Sequence, residues 1–159
     1  MRHTFIFIPV LLLCLLFAGC DSGTGNPFAG SQWDAGVHHV SFTQAVAEWN
    51  TALNRLELKF GMLSGTSYPN AIVIVPEVTT LAVNQPRAVT INLEISQNLI
   101  FQVDPTYPDS NATVNFTQLD LNTLGAVSGT ITGAARQVGE PGLAPVALTA
   151  NFDNVIITN

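Results

Sequence analysis

Residues 89–103 carry the clearest structural signal in the chain and read Val-Thr-Ile-Asn-Leu-Glu-Ile-Ser-Gln-Asn-Leu-Ile-Phe-Gln-Val. The first half alternates strictly between apolar and polar residues. This period of two is typical of a β-strand with one face in the core and the other in water. The alternation resumes at Leu99 after Gln97-Asn98, so the segment is predicted to be a hairpin with a tight turn.

Further segments show the same pattern, separated by clusters of Gly, Pro and Asn. The predicted strands are residues 55–62, 114–121, 127–131 and 146–157, with one-residue slips in 114–121 and 146–157 that are typical of β-bulges. Residues 71–75 (Ala-Ile-Val-Ile-Val) are apolar throughout, which predicts a central strand covered on both faces. No apolar helical pattern recurs between these strands, so the sequence predicts an all-β, antiparallel sandwich or barrel. We expect a β-sandwich of about seven to nine strands.

Residues 42–54 fit two structures. Ser41-Phe-Thr-Gln44 has the form of a helix capping box, and apolar residues follow at helical spacing: Phe42, Ala45, Val46, Trp49, Leu53 and Leu56. In the alternative, a strand runs through Val40 and Phe42, slips by one residue and continues through Ala45, Ala47 and Trp49. It then turns at residues 50–54 into the strand 55–62. The all-β context favours the hairpin, which we expect.

The first twenty residues have the layout of an export signal. Arg2 is followed by 13 apolar residues from Phe5 to Phe17, and then by Ala18, Gly19 and Cys20. A run of this length is too short to cross about 30 Å of hydrocarbon as a helix. It matches the apolar region of a secretory signal peptide.

Leu16-Phe17-Ala18-Gly19-Cys20 resembles the lipobox of bacterial lipoproteins. The resemblance implies cleavage before Cys20, a diacylglyceryl anchor on its sulfur, and a location in the bacterial cell envelope, on the inner or outer membrane. The expected organisation is a signal helix at 1–19, a lipidated Cys20 with a flexible tether at 20–33, and a sandwich domain at 34–159. Residues 127–133 and 146–157 also resemble the closing strands of small uncharacterised bacterial lipoproteins, which implies an Ig-like sandwich.

The charge of the chain limits its possible partners, and its cysteine content limits its possible disulfides. Five basic against 11 acidic side chains give a net charge of −6, which excludes a basic surface for nucleic acid. An acidic domain should not adhere to anionic lipid, so the membrane contact is expected to run through Cys20 alone. Cys14 lies within the expected signal, so no disulfide is expected in the mature chain.

The sequence offers little catalytic chemistry. His38 and His39 are neighbours that would point to opposite faces of a strand, so they are not expected to share a metal ion. Glu57 and Glu94 fall on the polar faces of predicted strands, where solvation explains them. No Gly-x-Ser-x-Gly motif or phosphate-binding glycine loop occurs. We expect no enzyme activity and no cofactor.

Two groups of residues are candidates for ligand binding. Asp104, Asp109 and Asn111 supply oxygen atoms suited to Ca²⁺, although turn formation explains the same residues. Aromatic residues in or beside predicted turns are potential stacking platforms for sugars, with packing as the alternative: Trp33, Trp49, Tyr68 and Tyr107. The last three are the candidates for one shared binding surface.

Two functions remain open at this point. The first is a lipid-anchored, non-catalytic structural or interaction domain of the cell envelope, with an envelope protein or glycan as partner. The second is a binding module for carbohydrate or another small ligand, with the loop aromatics and Ca²⁺ as its site.

Overall fold

The computed structural model describes residues 30–61 and 68–158, and their regular structure is β-strand apart from one 3-10 turn at Val78–Thr80. The strands are β1 (Ser31–Ala35), β2 (His38–Phe42), β3 (Ala45–Asn50), β4 (Arg55–Gly61), β5 (Asn70–Pro76), β6 (Arg87–Ala88), β7 (Thr90–Ser96), β8 (Leu99–Val103), β9 (Asn111–Leu119), β10 (Ala126–Gln137) and β11 (Val146–Ile156). The expected signal peptide, Cys20, the tether up to residue 29, and Met62 lie outside the described residues. Within the described ranges, no helix has the length and apolarity needed to cross a membrane.

Antiparallel pairing joins all eleven strands into one sheet. One half, which we call the β1 half, has the order β2-β1-β11-β10-β9-β6. The other, the β4 half, has the order β3-β4-β5-β7-β8. The end of β10 links the two halves through the pairs Arg136–Gln102 and Gln137–Phe101.

The sheet curls until it nearly closes. Between the described strands the chain crosses from one half to the other four times, at the β2–β3, β5–β6, β6–β7 and β8–β9 connections. After β11, Ile157 forms a parallel bridge with Ala47 of β3, and the Thr158 amide donates to the Ala47 carbonyl at 2.8 Å. The otherwise unpaired edge of β3 is therefore partly covered by the end of the chain.

Aromatic side chains fill the space between the halves. The Trp33 ring on β1 lies 5.2 Å from the Phe60 ring on β4 and 6.0 Å from Phe42, centre to centre. Phe60 also contacts Phe152 of β11 at 5.7 Å. These are edge-on contacts, each worth about 0.5–1.5 kcal/mol beyond the area that is buried. One buried cluster thus holds both halves together.

Several sequence-based predictions are confirmed. The structure is all-β and antiparallel, and Gln97-Asn98 forms the tight turn of the β7–β8 hairpin. Residues 45–61 form the β3–β4 hairpin rather than a helix, because the strand alternation places Ala47 opposite Leu58 with both side chains in the core. The slip in β11 is a register shift against β10 between Val127 and Gly129, and β9 shifts against β10 at the same place.

Other details differ from expectation. Eleven strands form instead of seven to nine. β1 and β6 are too short to show a clear alternation, and the strand expected from Val40 to Trp49 divides into β2 and β3. The domain starts at Ser31 rather than 34, and Trp33 is fully buried where tether was expected. The prediction that residues 71–75 are covered on both faces is wrong. Ile72 is 38% exposed, because the outer face of the β4 half is open.

Candidate functional site

The three candidate aromatic residues lie in separate places. Trp49 is half-buried on β3 and packs against the core. Tyr68 is 41% exposed near Gly61, at the opposite end of the β3–β4 hairpin from Trp49. Tyr107 is 48% exposed in the loop between β8 and β9. The three rings therefore do not form one stacking surface.

Tyr107 belongs to a cluster with Asp109 and Arg136, which we call the Arg136 cluster. Arg136, on β10, donates from Nε to Asp109 Oδ1 at 2.8 Å and from Nη2 to Asp109 Oδ2. Its guanidinium carbon lies 5.7 Å from the centre of the Tyr107 ring. Nη1 donates to the Pro141 carbonyl at 3.2 Å, so one arginine links the β8–β9 and β10–β11 loops.

The electrostatics of this cluster follow from its hydrogen bonds. The Arg136 guanidinium lowers the pKa of Asp109, and Asp109 in turn raises the pKa of Arg136. The pKa of Asp104 is lowered by a different donor, the backbone amide of Thr106, at 2.8 Å from Asp104 Oδ1. Both carboxylates therefore stabilise the conformation of the β8–β9 loop.

The candidate calcium ligands take part in the structure of the β8–β9 loop and the start of β9. Asp109 uses both oxygens on Arg136, Asp104 closes a turn with Thr106, and Asn111 begins β9 opposite Ala134. No group of three or more His, Cys, Asp or Glu side chains that could hold a metal ion occurs in the described ranges. The turn role of Asp104 is observed, and the calcium role stays a prediction.

Cavities adjoin all three aromatics. The one beside Tyr68 has a volume of about 250 Å³ and is lined in part by Gln44, Gly61 and Pro69. The one beside Tyr107 has a volume of about 100 Å³ and is lined mainly by Gln102, Arg136, Gln137 and Pro141. It is smaller than the usual pocket for a drug-sized ligand. An open trough of about 490 Å³ lies beside Trp49, with Glu48 and Glu57 on its wall.

The glutamates on the outer face of the β4 half are paired rather than only solvated. Lys59 Nζ lies 2.5 Å from Glu48 and 3.7 Å from Glu57, which also meets Arg55 at 2.5 Å. A second group surrounds Glu94, whose two oxygens accept from the amides of Asn70 and Asn92 at 3.0 and 2.9 Å. Glu48 and Glu94 therefore make cross-strand contacts, whereas Glu57 is paired within β4.

His38 and His39 point to opposite faces of β2, as predicted. The His38 ring packs 5.7 Å from Phe101, and His39 Nδ1 lies 2.5 Å from Asp34 Oδ1 on the outer face.

The outer face of the β1 half carries two rows of polar side chains across five strands. This face was not predicted from the sequence. Strand register places one row in the order His39, Asp34, Thr149, Thr132 and Thr113, and the other in the order Ser41, Gln32, Asn151, Thr130 and Asn115. Each residue of a row lies about 4.8 Å from the next, and the rows are about 6.8 Å apart. We call these ten residues the hydroxyl–amide face. Their polar character is visible in the sequence, but their alignment depends on the pairing of distant strands.

The hydroxyl–amide face is almost without free charge. Its only ionisable residues are Asp34 and His39, which pair with each other, and Thr149 Oγ1 donates to Asp34 Oδ2 at 3.4 Å. Seven of the ten side chains are well exposed; Asp34, Thr113 and Asn115 are half-buried. The surface can donate and accept hydrogen bonds along both rows.

Comparison of the chain with protein-family models, with curated proteins and with solved structures finds no match.

Proposed function

We propose that this chain is a bacterial cell-envelope protein, anchored by lipid on Cys20, whose β-domain is a non-catalytic interaction domain. The observation that carries the proposal is the hydroxyl–amide face. It is about 19 Å across its five strands, which suits contact with an extended macromolecule better than capture of a small molecule.

The anchor and the face are connected by the order of the chain. The lipobox-like Leu16–Cys20 lies just before ten residues, 20–29, that span at most about 35 Å when extended. The next element is β1, which contributes Gln32 and Asp34 to the face. A tether of this length holds the face within a few nanometres of the membrane.

The Ig-like sandwich is part of the same proposal. Two observations support it: Trp33 and Phe60 meet across the halves, and four connections between strands cross from one half to the other. The β1 half and the β4 half would then be the two layers of the sandwich.

The interaction function is tested with the full chain carrying Cys20→Ala, so that the lipid does not mask other contacts. The purified protein is mixed with washed bacterial envelopes and sedimented. We expect retention, and we expect Thr132→Lys with Thr149→Lys to remove most of it because two long charged side chains would cover the rows. Thr123→Lys, in an exposed turn, is the matched control. Equal retention of the face variant and the control would contradict the proposal.

A ligand-binding module centred on the Arg136 cluster is the second candidate. The observation in its favour is that Tyr107 is held by Arg136 on a structured loop while 48% of its surface stays exposed. The test is a thermal shift of the full chain with glycans and with Ca²⁺, in which a ligand at a hundred times its Kd adds about 2.7 kcal/mol. A shift that Tyr107→Ala abolishes would support this candidate, and no shift with any ligand would remove it.

A further inference from the structure

The composition of the hydroxyl–amide face is not explained by the fold alone. Thr is common in strands, so Thr113, Thr130, Thr132 and Thr149 need no special reason. Asn is depleted in strands, yet the second row holds two asparagines, Asn151 of β11 in its middle and Asn115 of β9 at its end. Asn115 also has a buried Oδ1 without a hydrogen-bond partner, which carries a free-energy cost.

The chemistry of the face restricts its partner. Soluble proteins usually cover exposed strands with charged residues, whereas here neutral hydroxyls and amides occupy eight of the ten positions. The one carboxylate, Asp34, is hydrogen-bonded to the ring of His39. With a net charge of −6 on the whole chain, an anionic polymer would be repelled. The partner should be uncharged.

A protein partner fits the face poorly. Protein interfaces draw most of their binding energy from buried Trp, Tyr and Arg side chains, and the ten residues of the face include none of these. A polymer that carries hydroxyl or amide groups at regular intervals can instead form a hydrogen bond with one side chain of a row at each strand.

We propose that the hydroxyl–amide face binds a neutral glycan chain of the cell wall, extended across the strands between the two rows. The inference rests on the proposed envelope location. The recognised groups are sugar hydroxyls and acetamido groups. The exposed amides of Gln32 and Asn151 can donate and accept at once, and the threonines supply single hydroxyls. The site is separate from the Arg136 cluster.

The test is sedimentation of the purified full chain, in mild detergent, with cell-wall sacculi stripped of protein. We expect the wild-type chain to pellet. We expect glycan chains freed of their peptides to compete, and the freed peptides not to. Absence of pelleting, or competition by the peptides instead of the glycan, would overturn the inference.

Two variants connect the result to the face. Thr130→Val with Thr132→Val removes two hydroxyls but keeps the β-branched shape, and we expect retention to weaken about tenfold. Thr149→Val alone should weaken it less, and Thr123→Val should leave it unchanged. Urea unfolding of each variant verifies that the fold is intact. Full retention of the folded double variant would overturn the assignment to this face.

The outcome separates the two proposals. If washed envelopes retain the chain through the face but protein-free sacculi do not, the glycan is wrong as the partner and the interaction function stands. If neither retains it, both are wrong.

Discussion

At the scale of single residues, the first prediction concerns Gly133 of β10, where the backbone of β9 lies very close. A Cβ on Gly133 would lie 2.5 Å from the Ala112 Cα and would also overlap the Asn111 carbonyl. Strands β9 and β10 can pair at this point only because Gly133 has no side chain. We expect Gly133→Ala to destabilise the domain by about 1–3 kcal/mol, measured as the free energy of unfolding in urea.

Gly142→Ala is the matched control, since its Cβ would have no neighbour within 4 Å. It should change the free energy of unfolding by no more than about 0.5 kcal/mol. Equal stability of the two variants would show that β9 and β10 are not paired as described.

Trp33 makes the second residue-scale prediction. It is fully buried, contacts Phe42 and Phe60 edge-on, and donates from its indole nitrogen to Ser31 Oγ at 3.2 Å. Trp33→Ala should therefore reduce the free energy of unfolding by about 3–5 kcal/mol. Leu124→Ala, at a site 74% exposed, should stay within about 0.5 kcal/mol of wild type. A small effect at Trp33 would mean that residues 31–33 belong to the tether after all.

At the scale of elements, the bulge of β11 against β10 depends on one hydroxyl. Ser128 is buried, donates to Asp153 Oδ1 at 2.7 Å, and accepts from the Asn154 amide at 2.9 Å. Ser128→Ala removes both hydrogen bonds and should cost about 1–3 kcal/mol of unfolding free energy in urea. Thr123→Ala is the control in an exposed turn. An unchanged stability for Ser128→Ala would show that the hydroxyl does not hold the bulge.

The loop between β8 and β9 gives a prediction about pH. Arg136 lowers the pKa of Asp109 from its usual 3.8, so the pair contributes stability above 3.8 and loses it as the pH falls through the lowered value. We expect the urea midpoint of Asp109→Asn to be lower than that of wild type at neutral pH, because the ion pair is lost. In strong acid the two midpoints should converge. Glu140→Gln, another exposed carboxylate in a loop, is the control. A difference that does not change with pH would contradict the ion pair.

Some elements were predictable from sequence because their signal is local. The β7–β8 and β3–β4 hairpins follow from alternation, and the bulges follow from slips in that alternation. The strand β1 was missed because its five residues are too few to show a period, although Trp33 anchors the core. The hydroxyl–amide face was missed for another reason: Thr132 meets Thr149 and Thr113 only through the register of three strands.

At the scale of the whole molecule, the proposed account joins a lipid on Cys20, a short tether, and one polar face of a β-domain. Ala147 allows this account to be tested without removing any polar group. It is exposed on β11, two residues before Thr149, on the same face of the strand. A thiol at this position would report whether the face is covered.

The most direct measurement is the maleimide labelling rate of Ala147→Cys in the full chain with Cys14→Ala and Cys20→Ala, with and without washed envelopes. Tyr107→Cys reports on the Arg136 cluster and Thr123→Cys serves as control. We expect envelopes to slow the labelling at position 147 severalfold and to leave the labelling rates at positions 107 and 123 unchanged. Slower labelling at position 107 alone, or at none of the three, would contradict the account.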